Sequence, residues 1–303
     1  MNSVTRKEFI KTSSILFATL VTGCAFDVQR KERLLSFSTL GCPDWTFDQI
    51  ISFAVKHGYK GIEVRGLQRQ MDLTKCVEFS TDEARKNTLA LMKNNGLQFV
   101  GLGSSANMHF GGGPERDKNI DEAKRFIDLA QQINCPYVRV FPNNFPKDGD
   151  KSETIQFIIK NLLELGDYAK NRNVTVLMET HGDVVKIDDL EKIMQSAEHP
   201  NVGLVWDVTN MWIATKESPK QAWKKLKKYI RHTHIKDAKL VAGKINYTLL
   251  GQGDVPIIEA INLLSNSSYK GFYSFEWEKM WHPEIAEPEI ALAHFPTAIK
   301  KAF

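Results

Sequence analysis

Arg231-His232-Thr233-His234-Ile235-Lys236-Asp237 is a short run that follows Ile230, carries strand-forming side chains at Thr233 and Ile235, and is bounded by polar residues. It reads as a β-strand. Successive side chains of a strand point to opposite faces, so His232 and His234 share one face. Two imidazoles side by side inside a fold need partners for their lone pairs. A metal ion is one answer and satisfied core hydrogen bonds are another. The segments on either side decide between them.

Outward from this strand, strand-like and helix-like segments alternate in both directions. Upstream lie strands at 35–40, 61–64, 98–102, 137–141, 175–179 and 203–207, each closed by polar or glycine residues. Between them the apolar residues recur at helical spacing over 46–57, 82–94, 119–132, 151–171, 187–196 and 219–228. Downstream come a helix at 255–266, a strand at 271–276 and a last helix at 287–301. Eight strands, each followed by a helix, predict an α/β fold of the (β/α)8 TIM barrel type. A doubly wound open sheet would carry a glycine-rich turn after its first strand, and Gly41-Cys42-Pro43-Asp44 is not one.

The chain has 303 residues, 42% hydrophobic and 25% charged, an ordinary composition with ample length for a large core. Its first residues read differently. Arg6, Lys7 and Lys11 precede a short apolar run, Ser13–Gly23, which ends at Cys24. Residues 1–24 are therefore expected to be an export signal, with Leu20-Val21-Thr22-Gly23-Cys24 resembling a lipobox whose cysteine carries lipid. Residues 25–33 form a linker, and 34–303 form the barrel domain. The expected location is the periplasm or cell envelope, with the membrane touched only through a lipid anchor. Residues 1–23 hold three cations and Glu8, so the net charge of +4 falls to about +2 without them. That balance gives no footprint for nucleic acid. Cys42, Cys76 and Cys135 form neither a disulfide framework nor a zinc motif.

A barrel builds its active site at the C-terminal ends of its strands. Four successive strands end on acids or histidines: Met178-Glu179-Thr180-His181, Trp206-Asp207, His232-Thr233-His234, and Phe275-Glu276-Trp277-Glu278. One such residue reads as a helix cap, and Asp207 fits that role. Four on neighbouring strands at one end are hard to read so. Three carboxylates brought together are expected to raise one another's pKa values, a conflict that a divalent cation removes. An oxygen-rich set with one imidazole suits manganese, magnesium or cobalt, and zinc also fits.

Several motifs together resemble the sugar isomerase/epimerase superfamily, the xylose-isomerase-like barrels. They are Gly61-Ile62-Glu63-Val64-Arg65, Pro136-Tyr137-Val138-Arg139-Val140, Met178-Glu179, Trp206-Asp207, His232-Thr233-His234-Ile235-Lys236-Asp237, Leu250-Gly251-Gln252-Gly253-Asp254-Val255 and Ser274-Phe275-Glu276-Trp277-Glu278. The resemblance implies that Glu179, Asp207, His234 and Glu276 ligate one divalent metal. It also implies that Glu179 and Glu276 form the acid/base pair. The implied chemistry is proton abstraction next to a carbonyl through a metal-stabilised enediolate, which serves isomerisation or epimerisation. An exported enzyme meets unphosphorylated sugars, so a small keto-sugar is the expected substrate. The chain departs from ketose 3-epimerases at Val185, at Asn210 and at Lys236 with Lys239, where those enzymes carry a glutamate, a histidine and an arginine. This points to another branch with a different substrate grip. The alternatives are a metal-dependent lyase or hydratase on a 3-keto-glycoside, and a non-catalytic sugar-binding lipoprotein. A homo-oligomer is compatible with each.

His181, Asn210, Lys236, His109 and Trp281 are candidates for substrate contact. Each has a plainer reading: loop residues for His181 and His109, a salt bridge to Asp237 for Lys236, and packing for Trp281 as for Trp45, Trp212 and Trp277. Glu63 and Arg65 are expected to pair with each other. Glu278 is expected to orient a lysine or histidine, and His232 to support His234 from below. Gly111-Gly112-Gly113 reads as a loop with no phosphate motif behind it.

Overall fold

A computed structural model describes residues 33–148 and 150–301. The expected export signal, and the linker up to residue 32, lie outside the described residues. Among the described residues no helix is long and apolar enough to cross a membrane.

The strands of the barrel are β1 (Leu35–Ser38), β2 (Gly61–Val64), β3 (Gln98–Asn107), β4 (Tyr137–Phe141), β5 (Thr175–Glu179), β6 (Val202–Asp207), β7 (Ile230–Ile235) and, after a hairpin of β8 (Asp237–Val241) and β9 (Lys244–Thr248), β10 (Tyr273–Phe275). Their order around the closed barrel is β1-β10-β7-β6-β5-β4-β3-β2, and every neighbouring pair is parallel. The (β/α)8 expectation therefore holds.

The surrounding helices are α1 (Phe47–Lys56), α2 (Asp82–Asn94), α3 (Gly113–Gln132), α4 (Lys151–Ala169), α5 (Ile187–Ser196), α6 (Val208–Thr215), α7 (Pro219–Leu226), α8 (Ile257–Ser265) and α9 (Pro288–Lys301). Local sequence sets several of their starts. Thr46 with Gln49, and Ser218 with Gln221, close capping boxes on α1 and α7. Thr81 caps α2 through the Ala84 N–H. Helix α3 begins six residues before the expected position. Pro114 suits a first helical turn, so the glycine run leads straight into the helix. The 35–40 strand stops at Ser38, whose hydroxyl accepts from the Leu40 N–H and turns the chain into a 3-10 segment.

Alternation along the strands separates two environments. Phe37, Ile62, Val138, Met178, Trp206 and Phe275 join the helices in one hydrophobic cluster. The residues between them face the barrel axis, and many are polar: Ser36, Glu63, Arg139, Glu179, Asp207, His232, His234 and Ser274 are all buried. Barrels of this size usually fill the axis with branched apolar side chains. Here the apolar core is the shell between strands and helices, and the axis carries charge. Room for that charge is made at Gly103 on β3. A Cβ there would lie 2.5 Å from Arg65 Cδ and 3.0 Å from Arg139 Nη2.

Candidate metal centre

Glu179 ends β5, Asp207 ends β6, and Glu276 follows β10 directly. Register pairs Asp207 with His234 of β7, and His234 in turn with Ser274 of β10. Four strand ends thus deliver four donors to one spot. His234 Nδ1 lies 3.2 Å from Glu276 Oε1, 3.4 Å from Glu179 Oε1 and 3.8 Å from Asp207 Oδ2. One ligand atom from each residue lies within 4.8 Å of all the others, and all four residues are buried.

The residues present fit a cation. His234 Nδ1, Glu179 Oε2 and Asp207 Oδ2 are buried without a hydrogen bond. The two oxygens do have ionic neighbours: Arg139 Nε is 3.0 Å from Glu179 Oε2, and Lys236 Nζ is 2.8 Å from Asp207 Oδ2. The imidazole nitrogen has only carboxylates before it. Lys236 also contacts Glu276 Oε2 at 2.6 Å and Glu278 Oε1. Four carboxylates therefore share two permanent cations, Arg139 and Lys236, through direct ion pairs. The shortfall matches the charge of one divalent ion.

The field at the centre is strongly negative. Burial alone would lower the pKa of His234, but Glu276, Glu63 and Glu179 outweigh it and raise it well above the usual histidine range. A field that holds a proton on that ring also attracts a metal ion. Burial pushes the Glu179 carboxyl up, yet His234 and Arg139 bring it below its ordinary value. Glu276 is held well below: burial opposes this, and His234 and Lys236 overcome it. Glu276 does raise Glu179, as expected of neighbouring carboxylates, but the net shift of both glutamates is downward. Their mutual repulsion is real but smaller than the attraction of the cationic neighbours.

Asp207 is placed for both of the roles that the sequence presented as alternatives. Its Oδ1 accepts the Asn210 N–H at 2.8 Å and caps α6, leaving Oδ2 for the centre. Asn210 also sends Nδ2 to the Thr180 carbonyl at 3.4 Å, beside Glu179. Lys236 is buried, and its three donors meet Asp207, Glu276 and Glu278. The alternative pairing of Lys236 with Asp237 does not occur. Asp237 instead accepts the N–H groups of Gly251 (2.8 Å), Gly253 (2.9 Å) and Ala238 (2.9 Å). This explains the Gly251-Gln252-Gly253 motif, since a Cβ at Gly253 would sit 1.9 Å from Asp237 Oδ1. Glu278 orients Lys236, as expected.

Glu63 and Arg65 do not pair with each other. The Glu63 carboxylate takes His232 Nε2 at 2.7 Å, His234 Nε2 at 3.0 Å and Ser274 Oγ at 2.9 Å. Arg65 Nη2 donates to Ser105 Oγ at 3.0 Å. The cause is closure: β2 and β7 are not neighbours in the sheet, but both face the axis.

The other candidates have partners of their own or stand exposed. His181 Nδ1 is 3.0 Å from Asn143 Oδ1, and its ring packs on Phe141. The His109 ring packs against Phe110. Trp281 is 51% exposed. No hydrogen bond or ion pair joins these three to the ligand set among the described residues. Trp277 is a packing residue, buried on Phe275 with its indole N–H donated to the Ala286 carbonyl. Arg139 and Ser274 were not singled out from the sequence. The signal for Arg139 was present, as a lone charge in the middle of the apolar 137–141 run.

Comparison with known proteins places this geometry. The chain is 21% identical over 194 residues to 3-dehydroshikimate dehydratase of Bacillus anthracis, covering 63% of this chain and 66% of that protein, just under two thirds of its length. It is 22% identical over 277 residues to inosose dehydratase of Bacillus thuringiensis (strain Al Hakam), covering 82% and 87% of the two chains. Among solved structures, D-psicose 3-epimerase of Clostridium cellulolyticum H10 superposes with a TM-score of 0.70 at 15% identity, over 89% of this chain and 98% of that one. The model of the family described as xylose isomerase-like TIM barrel matches residues 51–296, which take in all four converging side chains, and the chain belongs to that family.

Proposed function

We propose that the chain is a divalent-metal-dependent enzyme that removes a proton beside a carbonyl of an unphosphorylated keto-sugar. One observation carries this reading: Glu179, Asp207, His234 and Glu276 converge, and Nδ1 of His234 faces three carboxylate oxygens without a hydrogen bond. A cation held there, with manganese, magnesium, cobalt or zinc all suited to the donor set, would draw electrons from a chelated carbonyl and an adjacent hydroxyl and so acidify the C–H between them. The two glutamates reach the centre from opposite sides of β7 in the strand order. Both are held in the ionised form, ready to accept a proton. Arg139 steadies Glu179, and Lys236 keeps an acidic hydrogen beside Glu276. Return of the proton to the other face gives epimerisation, and return to the neighbouring carbon gives isomerisation.

A second reading, loss of a β-leaving group from a keto-glycoside or a related ring ketone, has its own support. Both relatives described above are dehydratases by name. Val185 and Asn210 also replace residues that ketose 3-epimerases use. The same abstraction step opens either route.

The test is to incubate the metal-loaded protein with a panel of keto-sugars and keto-glycosides in deuterated water and follow the products by NMR. Deuterium at a carbon beside the carbonyl supports the shared step, and product identity separates isomerase from lyase. Binding of a sugar with no exchange anywhere in the panel would leave a sugar-binding lipoprotein instead.

Export is proposed from residues 1–24, on the basic start, the short apolar run and Cys24. Mass spectrometry of the mature N-terminus checks it. A lipid-modified Cys24 supports the anchor, and an intact Met1 in the soluble fraction overturns it.

A further inference from the structure

Besides the four proposed ligands, one more group of potential metal donors lies inside the barrel among the described residues: Glu63, His232 and His234, all buried. It shares His234 with the centre and turns the other ring nitrogen toward Glu63. We infer that Glu63 is a positioning residue, which accepts the Nε2–H of His234 and thereby fixes the tautomer that presents the Nδ1 lone pair to the metal.

The argument starts from donor chemistry. An ionised carboxylate only accepts hydrogen bonds. The Glu63 carboxyl is ringed by three groups able to donate, His232 Nε2, His234 Nε2 and Ser274 Oγ, a setting that suits the ionised, accept-only form. Its Oε1 is 3.0 Å from His234 Nε2, so that nitrogen carries the hydrogen. The remaining nitrogen of the neutral ring, Nδ1, is a bare lone pair, and it is the one that faces Glu179, Asp207 and Glu276. Metal-bound histidines commonly donate their second N–H to a carboxylate, which orients the ring and raises its basicity.

Glu63 is itself held in place. His232 Nε2 donates to Oε2 at 2.7 Å, and Ser274 Oγ donates to the same oxygen at 2.9 Å. The bulge in the β2–β3 register between Ile62 and Glu63 falls at this residue. A second metal ion in the lower group is a poorer reading of the same atoms. The carboxylate is already satisfied by three donors, and a cation on Nε2 as well as Nδ1 would strip His234 of every proton.

This inference rests on the metal reading above, and the experiment separates the two. Zinc is loaded into wild-type protein and into Glu63→Gln, and its affinity is measured by chelator competition. Gln keeps the shape, loses the charge and can offer an N–H to the ring. The expected loss of affinity is about 10–100-fold. An affinity within about twofold of wild type would overturn the inference. The second readout needs no variant: long-range 15N–1H spectra of histidine-labelled, zinc-loaded wild type report the tautomer of each ring. A hydrogen on Nε2 and zinc on Nδ1 of His234 supports the role of Glu63, and the reverse pattern overturns it. Two zinc ions per chain would also overturn it. A wild type that binds no divalent ion sinks the proposed function together with this inference.

Discussion

The two faces of the His234 ring meet the same kinds of side chain and treat them differently. At Nδ1, three carboxylate oxygens stand 3.2, 3.4 and 3.8 Å away, and the nitrogen makes no hydrogen bond. At Nε2, a single carboxylate lies 3.0 Å away, and its oxygens are bonded to His234, His232 and Ser274. Both groups are buried, anionic and rich in donors. What separates them is how fully their carboxylates are hydrogen-bonded. Buried polar atoms are seldom left unpaired, so the upper carboxylates suit a further ligand, while the lower carboxylate, with both oxygens bonded, suits a supporting role.

The comparison can be broken most directly at the shared residue. His234→Ala should lower bound metal from about one ion per chain to near zero, because it removes the only imidazole from the upper set. Elemental analysis decides, and full retention of metal would show that the upper group is not the centre. Glu179→Gln tests the upper group alone. It should slow deuterium exchange into substrate by about 10²–10⁴-fold, the range for losing a positioned base. An unchanged rate would move the base elsewhere.

Metal removal should come next in size. Where free metal stands near 100 Kd, its binding stabilises the fold by about 2.7 kcal/mol. Chelation should therefore lower Tm by roughly 5–10 °C in wild type, taking about 2–4 °C per kcal/mol for a large domain. It should do nothing in His234→Ala. A donor to the lower carboxylate, one step further from the centre than Glu63, should show the opposite profile. Ser274→Ala removes one of the three donors to Glu63 and should cost about 1 kcal/mol in urea unfolding. Its metal content should equal that of wild type, and a loss of metal there would erase the distinction between the groups.

Much of this was readable in the sequence, for local reasons. Strands β2, β4 and β5 fall where the apolar runs put them, because each is short, β-rich and closed by polar residues. The four candidate ligand positions follow from strand ends in a barrel, which is a rule about one chain segment at a time. What the sequence hid is of two kinds. The β8–β9 hairpin carries Lys239 and Lys244 and has no buried face beyond its first residues, so neither periodicity nor hydrophobicity announces it. Its turn at Ala242-Gly243 takes positive φ at both positions, which is a hairpin geometry, but alanine is not the residue that signals it. The second kind is partnership across the axis. Glu63 and Arg65 share a strand face, so pairing them was the local solution. Their real partners belong to β7, β10 and the end of β3, and only closure of the barrel brings these within reach.

Asp207 shows what such compactness does to tolerance for change. One of its oxygens starts a helix and the other serves the centre. Asparagine would keep the cap and lose the negative charge; glutamate would keep the charge and push it past the Asn210 N–H. No common side chain performs both jobs from that backbone position. None of the other three converging residues caps a helix. At Asp207 helix and centre are a single mutational target, and a chain that drifts away from this chemistry would disturb the start of its own α6 in the same step.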